Sequence, residues 1–355
     1  VPSLLVWVHL CISASVDVLT TPRQKQGLDD SCNFRAFNLK EPSDIDDVRA
    51  ITCVSIAEAG ERLATLSSDG EVIVWSLSPY HLSSWRPTNI YHEETGPVTA
   101  LSITRNGMRL AIAFEYAVQV WDLKAPKWDF QLVHHDDVRQ SRIRSISMTD
   151  NGKRLAVGGN LIMVWDWDKV WKLKGKLIPH HFSKEYHVRI TGDGKALADG
   201  ERAEVWDLSQ EDPRKWVMIG KFTMGDKTSR SSSSRISDIA RQGTKIKVVT
   251  VTANYLKPNT ELRVLTCLLS KDNPDRNDFR AMSYPWHWQK VNAMAMTEDG
   301  NMLVTGSADY TAILWNLTWT SAHPLQKLEH TSAVRAVSIS KDGAWVATGS
   351  DDGTV

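Results

Sequence analysis

The sequence predicts an all-β chain: a seven-bladed β-propeller of four-stranded blades. Its last blade is closed by an N-terminal strand, and is either incomplete or filled by a further N-terminal strand. Three observations carry this expectation. Short apolar strands carrying a Trp recur at intervals of 41–46 residues. Each follows a second recurring block, an alternating strand and an Asn-Gly or Asp-Gly turn. The units so defined fall at 48–77, 98–123, 143–167, 187–208, 236–265, 291–317 and 334–355. A period of about 40–45 residues with several short strands per unit is the signature of propeller blades.

The Trp strands are Val72-Ile73-Val74-Trp75, Val118-Gln119-Val120-Trp121, Ile162-Met163-Val164-Trp165, Ala203-Glu204-Val205-Trp206 and Ala312-Ile313-Leu314-Trp315. Between Trp206 and Trp315 one member is missing, and Val264 stands where its Trp belongs. The block upstream is clearest at Val98–Gly107, Ile143–Gly152, Val291–Gly300 and Val334–Gly343, with a degenerate copy from Val48 to Gly60. Alternating apolar and small or polar residues ending on Asn-Gly or Asp-Gly read as a strand and a hairpin turn. A second apolar run, such as Met302–Ser307, leads through a tight turn into the Trp strand. Outer strands are expected near 88–92, 129–133, 174–179, 215–222, 279–284 and 324–329.

Composition agrees with a globular chain and limits its function. The 355 residues include 42 Lys+Arg and 42 Asp+Glu, a formal net charge of zero. That balance disfavours a broadly cationic surface for nucleic acid or membrane. Trp, at 15, outnumbers Phe and Tyr at 7 each, so the aromatic excess lies in the repeat. Cys11, Cys32, Cys53 and Cys267 form no CxxC pair and no zinc spacing, which favours a reducing compartment.

The ends define the closure problem. The chain begins with Val and stops inside a repeat, so it reads as a fragment, with a Trp strand expected beyond residue 355. The alternative is that Leu4–Leu10, which resembles a Trp strand through Trp7, completes the last blade and removes an exposed sheet edge. The same apolar run could be a signal-peptide core, but it lacks a basic flank and is too short to span a bilayer. Asn33–Leu39 alternates correctly and is the candidate closing strand. Residues 1–32 are thus an N-terminal segment of uncertain order, and 33–355 the propeller.

The repeat resembles the WD-repeat family, over about nine-tenths of the chain, and residues 334–355 follow its consensus almost throughout. The resemblance implies a hydrogen-bonded set in each well-made blade: a His before the first strand, a Ser/Thr on the second, an Asp in the next turn and the Trp indole. Carried over residue by residue, one blade has the full set in His287, Thr305, Asp309 and Trp315. The last has His330, Thr348 and Asp352 without a Trp, and the first has Thr65, Asp69 and Trp75 without the His. Trp121, Trp165 and Trp206 mark blades whose sets are reduced. These residues are read as structural, since a buried indole N–H and a turn Asp both need partners.

Candidate partner-binding residues are Trp286 and Trp288, placed in the loop entering the sixth unit, because aromatic anchors are enriched at protein interfaces. The Ser-rich stretch 228–235 reads as a loop insertion and phosphorylation site, and 271–278 as a second polar insertion. His134-His135 and His180-His181 read as solvated loop residues, not metal ligands. No phosphate loop, GxSxG, HExxH or carboxylate pair points to catalysis, and the first-strand positions read as Ala, Ser, Val, Ile and Met. The expectation is a non-enzymatic protein-interaction scaffold or sensor platform, cytoplasmic or nuclear with secretion left open. It has protein or peptide partners, no cofactor, metal or small-molecule substrate, and no nucleic-acid or membrane contact. The alternatives are the C-terminal propeller of a larger signalling ATPase or regulator, and a propeller enzyme.

Overall fold

A computed structural model of the chain describes residues 5–11, 34–40, 49–57, 62–76, 86–89, 96–124, 128–133, 142–178, 187–199, 204–221, 232–242, 245–254, 260–268, 280–318 and 321–355. The N-terminal strands β1 (Leu5–Cys11) and β2 (Phe34–Lys40) pair antiparallel. Blade 1 follows as β3 (Ile51–Ile56), β4 (Arg62–Ser67), β5 (Val72–Ser76) and β6 (Arg86–Asn89). Blade 2 is β7 (Val98–Ile103), β8 (Arg109–Phe114), β9 (Val118–Asp122) and β10 (Asp129–Val133). Blade 3 is β11 (Ser145–Met148), β12 (Arg154–Gly158), β13 (Ile162–Asp168) and β14 (Val170–Leu177).

Blade 4 comprises β15 (Val188–Ile190), β16 (Ala196–Asp199), β17 (Glu204–Asp207) and β18 (Val217–Lys221). Blade 5 comprises β19 (Ser232–Gln242), β20 (Lys245–Asn254), β21 (Thr260–Leu268) and β22 (Arg280–His287). Blade 6 comprises β23 (Val291–Met296), β24 (Met302–Ser307), β25 (Thr311–Leu317) and β26 (Ala322–Glu329). The final strands β27 (Val334–Ile339) and β28 (Trp345–Ser350) lie in a sheet of order β2-β1-β28-β27. Every other sheet is a sequential antiparallel meander.

The core lies between blades. Leu63, Ile73 and Trp75 of blade 1 cluster with Ala336, Trp345 and Ala347 of β27 and β28. The opposite side of blade 1, through Ala64, Val72 and Val74, clusters with Leu101, Leu110 and Trp121 of blade 2. A second strand therefore has apolar neighbours on both sides. That is why it reads as a short continuous apolar run, with Leu63, Ala64, Leu110 and Ala111 wholly buried. Each Trp pairs across the ladder with the Leu of the second strand: Leu63 with Trp75, Leu110 with Trp121, Leu155 with Trp165, Leu197 with Trp206 and Leu303 with Trp315.

The Asn-Gly and Asp-Gly turns are built alike. In blade 3, Asn151 Oδ1 accepts the Lys153 N–H, and Thr149 Oγ1 accepts the Arg154 N–H at 3.0 Å. Gly152 stands at φ 64°, where a Cβ would also come within 3.0 Å of Arg109 and Thr104 of blade 2. The glycine thus serves both the turn and the contact with the preceding blade.

Two sets of hydrogen bonds join the blades. On the innermost strands a hydroxyl accepts the backbone N–H of the next blade: Ser55 from Ile103, Ser102 from Met148 and Ser147 from Ile190, each at 3.1 Å. Ser338 accepts from Ile56 at 3.2 Å, joining β27 to β3 across 282 residues of sequence. In blade 5 the place is taken by Asp238, whose Oδ2 accepts from Met296 N at 2.8 Å. Further out, a basic side chain opening the second strand reaches the turn glycine carbonyl of the next blade. Arg62 bonds Gly107 at 2.8 Å, Arg109 bonds Gly152 at 2.8 Å and Arg154 bonds Gly194 at 2.9 Å. Lys247 bonds Gly300 and, at 3.3 Å, Leu317.

Five sequence expectations change, the first in blade 5, where Val248 is the counterpart of Leu303 and pairs with Leu265, so Leu265 and not Val264 stands in the Trp place. Ser232–Arg235, read as part of a loop, belong to β19, where they pair with Val251–Asn254 of the Thr- and Val-rich β20. The ladder supplies backbone partners that the Ser-rich composition alone does not suggest. Trp286 lies in β22 and not in a loop. The outer strand of blade 3 begins at Val170, earlier than expected, because Lys169 at φ 63° makes a tight turn straight out of β13. Finally, Trp7 does not take the Trp place in the last sheet. Val346 is the counterpart of Leu303, and the register sets His9 opposite Val346. The insertion 271–278 and both His pairs lie outside the described residues.

Lys247 generates a stability prediction. Burial pushes its ammonium down to about 8. Between pH 8 and its ordinary value near 10.4 the unfolded chain holds a proton that the folded chain has shed, so stability rises with pH through that window. The equivalent residue of blade 6 is Met302, so Lys247→Met should fold. In denaturant titrations from pH 7.5 to 10 the variant should show a shallower rise than the parent. Equal slopes would refute the burial argument.

Candidate functional site

The turns between second and third strands lie at one end of every blade, and those between first and second strands at the other. The first end carries Asp309, Asp69 and Asp352 and is called the Asp face. The second carries Gly107, Gly152 and Gly300 and is called the Gly face.

Blade 6 sets the geometry of the Asp face. His287, 4% exposed, meets Asp309 Oδ2 through Nδ1 at 2.9 Å and Thr305 Oγ1 through Nε2 at 2.8 Å. Trp315 Nε1 donates to the same Thr305 Oγ1 at 2.9 Å. A neutral ring protonated on Nδ1 donates to Asp309 and accepts the Thr305 hydroxyl, which leaves Thr305 free to accept the indole N–H. Asp309 also accepts the Trp288 N–H at 2.9 Å and the Thr311 hydroxyl at 2.6 Å. Burial alone would raise the Asp309 carboxyl. The bonds from His287, Thr311 and Trp288 outweigh it and hold the group below the usual carboxylate range.

The last sheet uses the same residues differently. His330 Nε2 meets Thr348 Oγ1 at 2.9 Å, but Nδ1 meets Thr354 Oγ1 at 3.0 Å instead of a carboxylate. Asp352 accepts from Thr331 N at 2.9 Å and from Thr354 N at 2.9 Å. Burial pushes the His330 imidazole below its ordinary value, against the pull of Asp352.

In blade 1 Trp75 Nε1 donates to Thr65 Oγ1 at 3.1 Å, and Arg49 meets Asp69 at 2.7 Å and Glu71 at 2.7 Å. Blade 2 satisfies the Trp121 indole with Gln119 Oε1 at 3.1 Å, and Glu115 pairs with Arg142 at 2.6 Å. Trp165 and Trp206 are buried in their blades.

Against this rigid base three aromatic side chains stand out on the Asp face: Trp288 at 78% exposure, Tyr310 at 50% and Tyr116 at 42%. Trp288 and Tyr310 flank the same carboxylate. One is fixed through its N–H on Asp309, and the other is held at φ 71° with its carbonyl accepting His330 N–H at 2.8 Å. The side chain of Trp286 is outside the described set.

The innermost strands enclose a cavity of about 360 Å³. Cys53, Arg189, Asp238, Asn292 and Arg335 line it, so the first strands are more polar than the sequence pattern suggested. The signal was present in the degenerate units: Arg189 and Asp238 stand where better-formed repeats have Ser. Burial raises the Asp238 carboxyl and the Cys53 thiol. At the Gly face four turn residues meet across the cavity mouth. Arg105 pairs with Glu298 at 2.9 Å and reaches Asp150 at 3.8 Å, and Lys341 pairs with Asp150. This balanced ion network links blade 2 to blade 6. Among the described residues no group of His, Cys, Asp and Glu could hold a metal ion.

Two predictions follow from the blade geometry. Thr305→Val strands two buried groups, the Trp315 indole N–H and the accepting His287 Nε2, and should cost about 2–4 kcal/mol, whereas Thr65→Val strands only the Trp75 indole N–H and should cost about 1–2 kcal/mol. Denaturant melts of both variants check the order, and equal losses would reject Thr305 as the hub. For His330, the unfolded chain takes up a proton below its ordinary value near 6.5 before the folded chain does. Stability should therefore fall as pH drops below that value, and His330→Gln should flatten the fall.

A family model described as "WD domain, G-beta repeat" matches residues 280–316 and 322–355. Mediator of RNA polymerase II transcription subunit 16 from Homo sapiens is 35% identical over 66 residues, 19% of this chain and 8% of that protein. The Xenopus laevis protein of that name is 25% identical over 101 residues, 27% of this chain and 14% of its own length. The matched segments therefore span well under a fifth of either relative. The matched repeats coincide with the blades whose His, Thr and Asp residues are joined by hydrogen bonds, and the same four-stranded unit recurs along the described chain: the fold is a β-propeller that carries WD repeats over 280–316 and 322–355.

Proposed function

We propose that the chain is a non-catalytic docking ring that binds other proteins or peptides through its Asp face. The single observation behind this reading is Trp288, whose backbone is fixed by Asp309 while its side chain is 78% exposed. A rigid, exposed aromatic loses little conformational entropy on binding, which suits an anchor residue. In this reading the ring has seven blades, residues 33–355 form the propeller together with β1 from the N-terminal segment, and β1 and β2 complete the last blade beside β28. His287, Thr305, Asp309 and Trp315, with His330, Thr348, Asp352, Thr65, Asp69 and Trp75, hold the loops. Trp286 and Trp288 contact the partner.

The absence of catalysis is supported by the cavity charges: Arg105, Asp150, Glu298 and Lys341 are engaged with one another. Zero net charge favours protein partners over nucleic acid. No helix among the described residues is long and apolar enough to cross a membrane. The similarity to a Mediator subunit supports a place in a multi-protein assembly concerned with transcription, and hence in the nucleus.

The test is capture from nuclear extract with the chain and its Trp288→Ala variant, read by mass spectrometry alongside thermal melting. The parent should retain a reproducible set of proteins. The variant should lose at least 10-fold of that set with an unchanged melting temperature. Equal recovery by the variant would reject the Asp face, and no retention by the parent would reject the scaffold reading.

A further inference from the structure

The rim of the ring holds a second cavity, separate from the Asp face. It measures about 310 Å³ and is lined by Phe130, Trp167, Trp171, Asp122, Asp129 and Arg109, with Val120 and Gln131 completing it. Its walls come from β9 and β10 of blade 2 and from the β13–β14 turn region of blade 3. Trp167 and Trp171 are cross-strand partners whose ring centroids lie 5.4 Å apart at an interplanar angle of 57°. Phe130 is braced from behind by Trp121, with centroids 4.8 Å apart.

The charges of this cavity depart from the repeat pattern. In blade 3, Arg154 grips Asp166 across the ladder with two bonds, at 2.6 and 2.9 Å. The equivalent pair in blade 2 is Arg109 and Asp122, opposite each other in register. Yet Arg109 turns to Trp167 instead, its guanidinium carbon 4.5 Å from the ring centroid, and bonds Gly152. Among the described residues Asp122 meets no cation, and its Oδ1 accepts only the Lys124 N–H at 3.1 Å. Asp129 likewise accepts only the Phe130 N–H. One guanidinium against two carboxylates leaves the lining net negative, and Arg109 is already committed as the back wall.

Three aromatic rings and two carboxylates with no cationic partner among the described residues, around one cavity, suit a cation that is cheap to desolvate. We propose that this cavity binds a quaternary or methylated ammonium, carried on a lysine side chain of a peptide partner. Ring faces attract such a cation through their quadrupoles, and its methyl groups pack on the indoles without requiring the hydrogen bonds that a bare ammonium would lose. Asp122 and Asp129 supply the charge that separates it from a neutral group of the same shape.

The test is titration of the full chain, followed by Trp fluorescence and calorimetry, with three probes. These are tetramethylammonium, a short peptide carrying trimethyllysine, and the same peptide with the uncharged tert-butyl isostere. The trimethyllysine peptide should bind at least 10-fold tighter than the isostere. Trp171→Ala should weaken it at least 10-fold, Asp122→Asn should weaken it several-fold, and both variants should keep the parent melting temperature. Trp171→Phe should restore most of the affinity, which a loss of folding would not allow. Equal binding of the neutral isostere would overturn the proposal, as would no binding of any probe at millimolar concentration.

Discussion

A hydroxyl at one position of the innermost strand turns a row of separate sheets into a ring. A four-stranded sheet with two apolar faces has no stable existence in water, so each blade must be covered on both sides. Apolar packing covers it but does not fix how one blade sits on the next. Ser55, Ser102, Ser147 and Ser338 fix it by accepting a backbone N–H from the neighbouring strand, at the radius where the strands come closest. Those N–H groups point back towards the preceding blade and away from their own ladder, so the bond also satisfies a donor that would otherwise be buried without a partner.

Blades 4 and 5 show what happens where this rule is broken. Arg189 replaces the hydroxyl in blade 4, and the Ile239 N–H that it would have met turns to Asp238 Oδ1 of its own strand at 2.9 Å. Asp238 then serves blade 6 with its other oxygen. The arrangement brings a charge into the cavity lining, where Arg189 offsets part of the cost of burying the carboxylate. Lys247, at the start of the second strand of blade 5, does for its neighbour what Arg62, Arg109 and Arg154 do elsewhere, with a compact ammonium in place of a guanidinium. Blade 5 thus keeps its bonds to blade 6 by using other chemistry, while the innermost hydroxyl bond between blades 4 and 5 is given up.

The same economy explains why rigid and exposed parts sit side by side on the Asp face. The carboxylate of Asp309 gathers donors from a ring nitrogen, a hydroxyl and two backbone groups, so the turn cannot shift without breaking several bonds at once. Trp288 and Tyr310 project from that fixed turn. The Gly face is bound differently, by an ion network that spans the cavity mouth between blades far apart in sequence.

The sequence by itself determined the repeat, the strand order within a blade and most blade boundaries. Those depend on local alternation, on Gly at left-handed turn positions and on one Trp per unit. The resemblance to the WD-repeat family also named His287, Thr305, Asp309 and Trp315, and His330, Thr348 and Asp352 repeat three of the four types at the same spacing. The sequence could not reveal which atom each residue meets. Only the tertiary structure decided that His330 turns to Thr354, that Arg49 takes up Asp69, and that Arg109 leaves Asp122 for an indole of the next blade. Nor could the sequence set the register of β1, which places His9 rather than Trp7 opposite Val346. The reason is physical: a strand's period is a property of its own residues, but its register and the partners of its polar groups depend on the neighbouring blade, and the period is silent about that neighbour.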